Sequence, residues 1–137
     1  MSNDDIIAKL LDKLQSENYE VFENLDNSET RGANAVSIGI GEVEQVNFAL
    51  PDYKTKINIY ISSHINEDKT GEIFKSILNE VKEKLDVYVL KEQPLSGLFE
   101  DVPVVGFWFD KETRMVVDDQ YGACYLAHLE YTAITSF

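Results

Sequence analysis

The sequence predicts an α+β fold: one mostly antiparallel sheet of about six or seven strands, with two amphipathic helices packed on one face. Two helical stripes share one spacing: Ile6, Ile7, Leu10, Leu11 and Leu14 near the start, and Ile73, Phe74, Ile77, Leu78, Val81 and Leu85 past the middle. Such stripes suit helices lying side by side on a sheet. Elsewhere, runs such as Ile57, Ile59 and Ile61 alternate apolar with polar residues, the two-residue period of a strand with one buried face. The central strand, Lys56 to His64, feeds the second stripe through the polar turn Asn66-Glu67-Asp68-Lys69. Strand and helix therefore make one packing unit.

Taken in order, residues 3 to 17 read as a helix that Ser2, Asn3 or Asp4 can cap, with acids in its first turn. Tyr19 to Leu25 reads as a strand. The polar loop Asp26 to Asn34 has no apolar anchor, so it is expected to be mobile unless a partner holds it. Ala35 to Leu50 has long strand character, with Val36, Ile38 and Ile40 alternating and then Val46, Phe48 and Leu50. Gly39 and Gly41 between the two runs predict a bulge, a bend or a close backbone approach. This glycine run lacks the Lys-Ser/Thr of a phosphate-binding loop and opens no helix. Pro51-Asp52 turns the chain into the central strand, and Thr70 or Asp68 caps the second helix.

After that helix, Asp86 to Leu90 reads as a short strand. Lys91 to Pro103 reads as a loop whose apolar tip, Leu95, Leu98 and Phe99, either tucks onto the core or meets a partner. Val104 to Phe109 is apolar on both faces, Val105, Phe107 and Phe109 opposite Val104 and Trp108, which predicts cover on both sides. Asp110 to Thr113 reads as a turn and Arg114 to Val117 as the returning arm of a hairpin. The last strand, Tyr121 to about Thr135, alternates Tyr125, Ala127, Leu129, Tyr131 and Ala133 against Leu126, His128, Glu130, Thr132 and Ile134.

A chain of 137 residues suits one domain spanning positions 1–137. No apolar run approaches the ~20 residues of a membrane helix, and the acidic Ser2-Asn3-Asp4-Asp5 start does not read as an export signal. Cys124 is the single cysteine, so no internal disulfide forms, which fits assembly in a cytosol-like compartment. The net charge is −13 and is unevenly spread. Ser16 to Tyr53 holds eight acids against Arg31 alone, Lys54 to Lys91 six against seven bases, and Glu92 onward eight against Lys111 and Arg114. The acid excess lies outside the central unit. It is either a solubilising surface or one that avoids or imitates nucleic acid, because phosphate binding needs clustered Lys and Arg.

The sequence carries no catalytic signature. Cys124 and His128 share a strand face but lie about 13 Å apart at ~3.3 Å per residue, too far for one ion or a nucleophile–base pair. Cys124 then reads as a small half-buried hydrophobe. Asp118-Asp119, with Asp110 and Glu112, lack calcium-loop spacing and read as solvated turn residues. His64 follows the central strand, where a functional group could sit, although a surface role is the plainer reading. Trp108 and Tyr131 could stack on a ligand; aromatic residues at strand spacing more often form core or interface. No cofactor and no metal are expected.

The order of elements, with the central strand feeding the amphipathic helix and the last strand ending near Thr132-Ala133-Ile134-Thr135-Ser136-Phe137, resembles the tail-terminator and tail-completion proteins of tailed bacteriophages. The resemblance spans nearly the whole chain and rests on length and element order. It implies a non-enzymatic virion component, assembled in the host cytoplasm, that forms a hexameric ring. That ring would close the head-proximal end of the tail tube and meet the head connector, with no membrane partner. The Leu98-Phe99 loop and the long Ala35 to Leu50 region are expected departures from a plain family member. A ring around passing DNA should repel phosphate. On this reading Glu17, Glu20, Glu23, Glu42, Glu44, Asp118 and Asp119 supply channel-facing acids, while Leu98, Phe99, Val105, Phe107 and Trp108 supply the subunit interface. An acidic DNA mimic that inhibits a nucleic-acid enzyme is the alternative. A small-ligand enzyme ranks last, because no acid/base pair is identifiable.

Overall fold

The computed structural model describes residues 3–23, 34–47, 52–65, 69–89, 95–99, 104–119 and 122–136. Its elements are α1 (Asn3–Leu14), β1 (Glu20–Glu23), β2 (Ala35–Asn47), β3 (Asp52–His64), α2 (Glu72–Val89), α3 (Leu95–Leu98), β4 (Val104–Asp119) and β5 (Gly122–Ser136). The strands form one five-stranded sheet in the order β1-β2-β3-β5-β4. β1 runs parallel to β2, and every other pairing is antiparallel.

The period-2 patterns set the register. Val36, Ile61 and Ala127 stand in one row across the sheet, Ile38, Ile59 and Leu129 in the next, then Ile40, Ile57 and Tyr131. All but Ile40 are fully or almost fully buried. A slip of one residue would turn these rows out to water, so burial pins the pairing. Onto this face come Ile6, Leu10 and Leu14 of α1 and Phe74, Ile77, Leu78, Val81, Leu85 and Tyr88 of α2, which join the strand residues in one core cluster. The helices lie side by side. Lys84 Nζ of α2 donates to the Gln15 carbonyl beyond α1 at 3.0 Å, and Asn18 Nδ2 donates to Glu80 Oε1 at 2.7 Å.

Several expectations need correction. The sheet has five strands and is mixed, because the β1–β2 pair is parallel. Asp86 to Leu90 is not a strand up to Val89. Tyr88 falls three residues after Leu85 on the buried stripe, and its burial outweighs the strand preference of Val87-Tyr88-Val89. Ile73, in the first turn of α2, is 41% exposed and is not part of the buried stripe. Asp110 to Thr113 is not a turn: β4 runs for 16 residues and pairs with β5 along its length, with register shifts at Val105 and Asp110. Asp110 sits at a register shift between Phe109 and Lys111, and Glu112 is met by cations, so these polar residues are tolerated within the strand. α1 ends at Leu14, short of the expected 17; β1 is described from Glu20 to Glu23, and the rest of the expected strand, Asn24 and Leu25, lies outside the described residues.

The predicted irregularity in β2 is present, as a register shift between Ile40 and Val43. A Cβ on Gly41 would lie 2.7 Å from Asn58 Nδ2 and 3.3 Å from Lys56 Cβ, which is the close approach that calls for glycine. The loop expected from 26 to 34 and the apolar residues Phe48 and Leu50 lie outside the described residues, apart from Asn34.

Candidate functional site

No described helix covers the second face of the sheet, and among the described residues no strand pairs with the outer edge of β4 beside it. The open face is built from the alternate residues of the same strands. Ser37, Tyr60, His128 and Thr113 make one row, and Lys56, Thr132 and Trp108 another. Its polar groups are already engaged with one another. Asp110 Oδ2 accepts from Lys56 Nζ at 2.9 Å and from the Thr132 hydroxyl, and Trp108 Nε1 donates to Asp110 Oδ1 at 2.9 Å. Burial pushes the Asp110 carboxyl up, but the hydrogen bonds from Thr132 and Lys56 and the Lys56 charge outweigh it and hold the group below its usual range. Next to this cluster, the His128 ring stacks on Tyr60 at 4.4 Å and its Nε2 lies 2.8 Å from Asn58 Oδ1.

The seam between α2 and β4 holds the second group of charges. Lys82 Nζ meets Glu112 Oε1 at 2.9 Å, and Arg114 Nε meets Glu112 Oε2 at 2.6 Å. Burial raises the Glu112 carboxyl, and the hydrogen bonds from Lys82 and Arg114 and their charges more than reverse that. Asp86 lies deeper. Desolvation lifts it above its usual value although Tyr131 donates to it at 3.2 Å. Burial first, then the Asp86 charge, pushes the Tyr131 phenol far up, so it stays a donor. At the α1 end, hydrogen bonds from Ser16, Asn18 and Lys84 overcome desolvation and bring Glu80 down to about 2. These groups fasten helices to strands. Among the described residues no three His, Cys, Asp or Glu side chains gather to hold a metal ion, and no helix is long and apolar enough to cross a membrane.

The expected interface residues separate into two sets. Leu98 and Phe99 are buried at 4% and 2% exposure, with the Phe99 ring edge-on to Phe107 at 5.4 Å. They are tucked onto the chain's own core, the outcome expected of an apolar loop tip with core beneath it. Phe107 is buried with them and stacks on Tyr131 at 5.2 Å. Val105, at 63%, and Trp108, at 36%, remain on the surface. A register shift between Val104 and Gly106 separates Val105 from the face that Phe107 occupies. Sequence reading did not single out Met115 and Val116, yet they are 45% and 62% exposed on the free edge. The assumed hairpin arm hid that they stand on an edge.

The expected channel acids do not form one patch within the subunit. Glu17, Glu20, Glu23, Glu42 and Glu44 are exposed on the β1–β2 side. Asp118 and Asp119 pair by backbone with Ala123 and Gly122 at the opposite edge, and their side chains lie outside the described residues. The row of Glu44 runs through Lys54 and Ile134 to Gly106, at the end of the sheet away from Asp118. Glu44 and Asp118 thus occupy diagonally opposite corners. His64 pairs with Cys124, which is buried, and Cys124 and His128 share the open face at different levels.

No protein-family model and no curated protein matches the chain. Among solved structures, it is similar to a chain of the virion of a native gene transfer agent particle. The likeness covers 96% of this chain and 92% of that one, with a TM-score of 0.57 and 13% sequence identity. At that identity the two share a fold.

Proposed function

We propose that this chain is a structural component of a phage-like virion, acting as a tail terminator or tail-completion protein. In this reading it forms a hexameric ring at the head-proximal end of the tail, joins tail-tube proteins to the head connector, and is not an enzyme. The observation that carries the reading is the fold likeness, nearly end to end in both chains, to a chain of a gene transfer agent virion. The molecule's surfaces agree with it. Its described polar clusters are spent on holding strands to strands and helices to strands, while an edge strand with exposed Val105, Trp108, Met115 and Val116 is left over. Natural sheets rarely leave such an edge unprotected unless something pairs with it. The net charge of −13 suits a ring that repels passing DNA and binds none of it specifically.

The test is location and assembly together. Antibody labelling of purified particles should mark the neck between head and tail, and native mass measurement at micromolar concentration should give a closed oligomer. Absence of the chain from purified particles, or its recovery with a nucleic-acid enzyme instead of virion proteins, overturns the reading.

A further inference from the structure

We propose that copies of this chain join head to tail by adding the β1 edge of one subunit to the β4 edge of the next, in one register: Val21 opposite Val116, Phe22 opposite Met115 and Glu23 opposite Arg114. The inference rests on the ring reading above and says which surfaces close the ring.

The two edges differ, which is the condition for a heterologous, ring-forming contact. β1 is four residues long and carries exposed Glu20 and Glu23; β4 is 16 residues long and carries exposed Lys111 and Arg114. Orientation follows from the sheet. β1 runs with β2, against β3, with β5 and against β4. A second copy with its helices on the same side therefore brings its β1 antiparallel to β4. The first half of β4 is poorly suited to pairing, because its register shifts twice, at Val104/Gly106 and at Phe109/Lys111. From Lys111 to Asp119 it is regular.

Within that segment the faces restrict the register. Val21 and Glu23 share the helix-covered face with Glu112, Arg114 and Val116, while Glu20 and Phe22 share the open face with Met115 and Val117. Opposed residues in a sheet point to the same side, so only alternate registers are allowed. Sliding β1 by two residues one way puts Glu23 opposite Glu112; sliding it two the other way puts Glu20 opposite Asp119 and Val21 opposite Asp118. The register between them opposes no two acids. It covers the exposed Met115 and Val116 with Phe22 and Val21, and gives Glu23 a guanidinium. Arg114 can serve both Glu112 and Glu23, since only its Nε is used on Glu112 and the group has five donors. One term opposes it: Asp118 and Asp119 come beside positions 18 and 19, near Glu17 and Glu20. Screening over about 8 Å at physiological salt confines that repulsion.

Charge reversal and cross-linking test the pairing. Glu23→Arg and Arg114→Glu should each weaken assembly by at least about tenfold, because like charges then face each other, and the double reversal should recover it. Circular dichroism of each variant checks that the fold is kept. Independently, mixing Val21→Cys with Val116→Cys protein under mild oxidation should give a disulfide-linked pair that neither variant forms alone. An oligomer that still forms but neither cross-links nor responds to the reversals overturns the pairing while leaving the ring intact. A chain that is monomeric at every concentration and absent from particles overturns the ring and the pairing with it.

Discussion

Ile59 and Tyr60 are neighbours in the chain and belong to different worlds. Ile59 faces the helices, is fully buried, and stands in a row with Ile38 and Leu129. Tyr60 faces the other way, between Ser37 and His128, where no described element covers it. The helix-covered face is mostly isoleucine, leucine and aromatic; the second face carries Ser37, Ser62, Thr132, Cys124 and Leu126, which are buried, and Lys56, Asn58, Tyr60 and His128, which are half-buried. The difference shows a division of labour. One face supplies the apolar burial that holds the helices, and the other holds its polar groups in hydrogen bonds among the strands.

The most direct way to break that contrast is to truncate both neighbours. Ile59→Ala should cost about 2–5 kcal/mol, the transfer term plus a cavity between α2 and the sheet. Tyr60→Ala should cost less than that, about 0.5–1.5 kcal/mol for the stacking with His128 plus the apolar area of a partly buried ring. Urea unfolding of the two variants decides; equal losses would mean that the open face is covered in solution.

How much of this was legible in sequence follows the same divide. The stripes of α1 and α2 and the alternation of β3 are local and repeat over many residues, so they were readable. What failed depended on distant partners. Val87-Tyr88-Val89 looks like strand until Tyr88 is seen to complete the α2 stripe. Asp110 and Glu112 look like turn residues until Lys56, Lys82 and Thr132 arrive from other elements to satisfy them. The parallel β1–β2 pair leaves no local trace at all. On the surface, apolarity singles out Val105 and Trp108, which are exposed, but not the equally exposed Met115 and Val116. Edge position is a property of the whole sheet, and no residue announces it.

The seam between α2 and β4 sharpens the comparison through pH. Glu112→Gln should cost about 1 kcal/mol at pH 7, a charge-assisted contact discounted for partial exposure. Because its folded-state value is lowered, Glu112 contributes stability that is present above the unfolded value and is lost as pH falls through the folded one. The variant should therefore converge with the parent in strong acid. Asp86 has the reverse sign. Its value is raised by desolvation, so its contribution is full below the unfolded value and is lost as pH rises through the folded one. Asp86→Asn should leave stability at pH 7 unchanged or higher, since an amide oxygen can still accept from Tyr131. Denaturant midpoints across pH for both variants check the two slopes.

A smaller effect of opposite direction is expected at Thr55. It is fully buried between Val43 and Ala133, and its hydroxyl has no hydrogen-bond partner among the described residues. Thr55→Val replaces the unsatisfied oxygen with a methyl of similar size and should stabilise by about 1 kcal/mol. A loss in the thermal midpoint would show that the hydroxyl is satisfied in solution.

The smallest effect tests the open face from beneath. Gly41 lies where β2 bulges toward Asn58, and Asn58 in turn holds His128 beside Tyr60. A Cβ at position 41 would sit 2.7 Å from Asn58 Nδ2, a side-chain end that can swing away, but also 3.3 Å from the Lys56 Cβ, which can yield less. Gly41→Ala should therefore cost less than about 1 kcal/mol, because the amide gives way more cheaply than a packed core would. The structural consequence is larger than the energetic one. Once Asn58 turns, its Oδ1 leaves His128 Nε2, and the imidazole loses the contact that fixes its rotation. The ring signals of His128 should shift in the NMR spectrum while the methyl signals of Leu129 and Ile59, on the covered face, stay in place. If the covered face moves as well, the two faces are coupled through the backbone. If His128 does not move at all, the close approach at Gly41 is not what positions the open face.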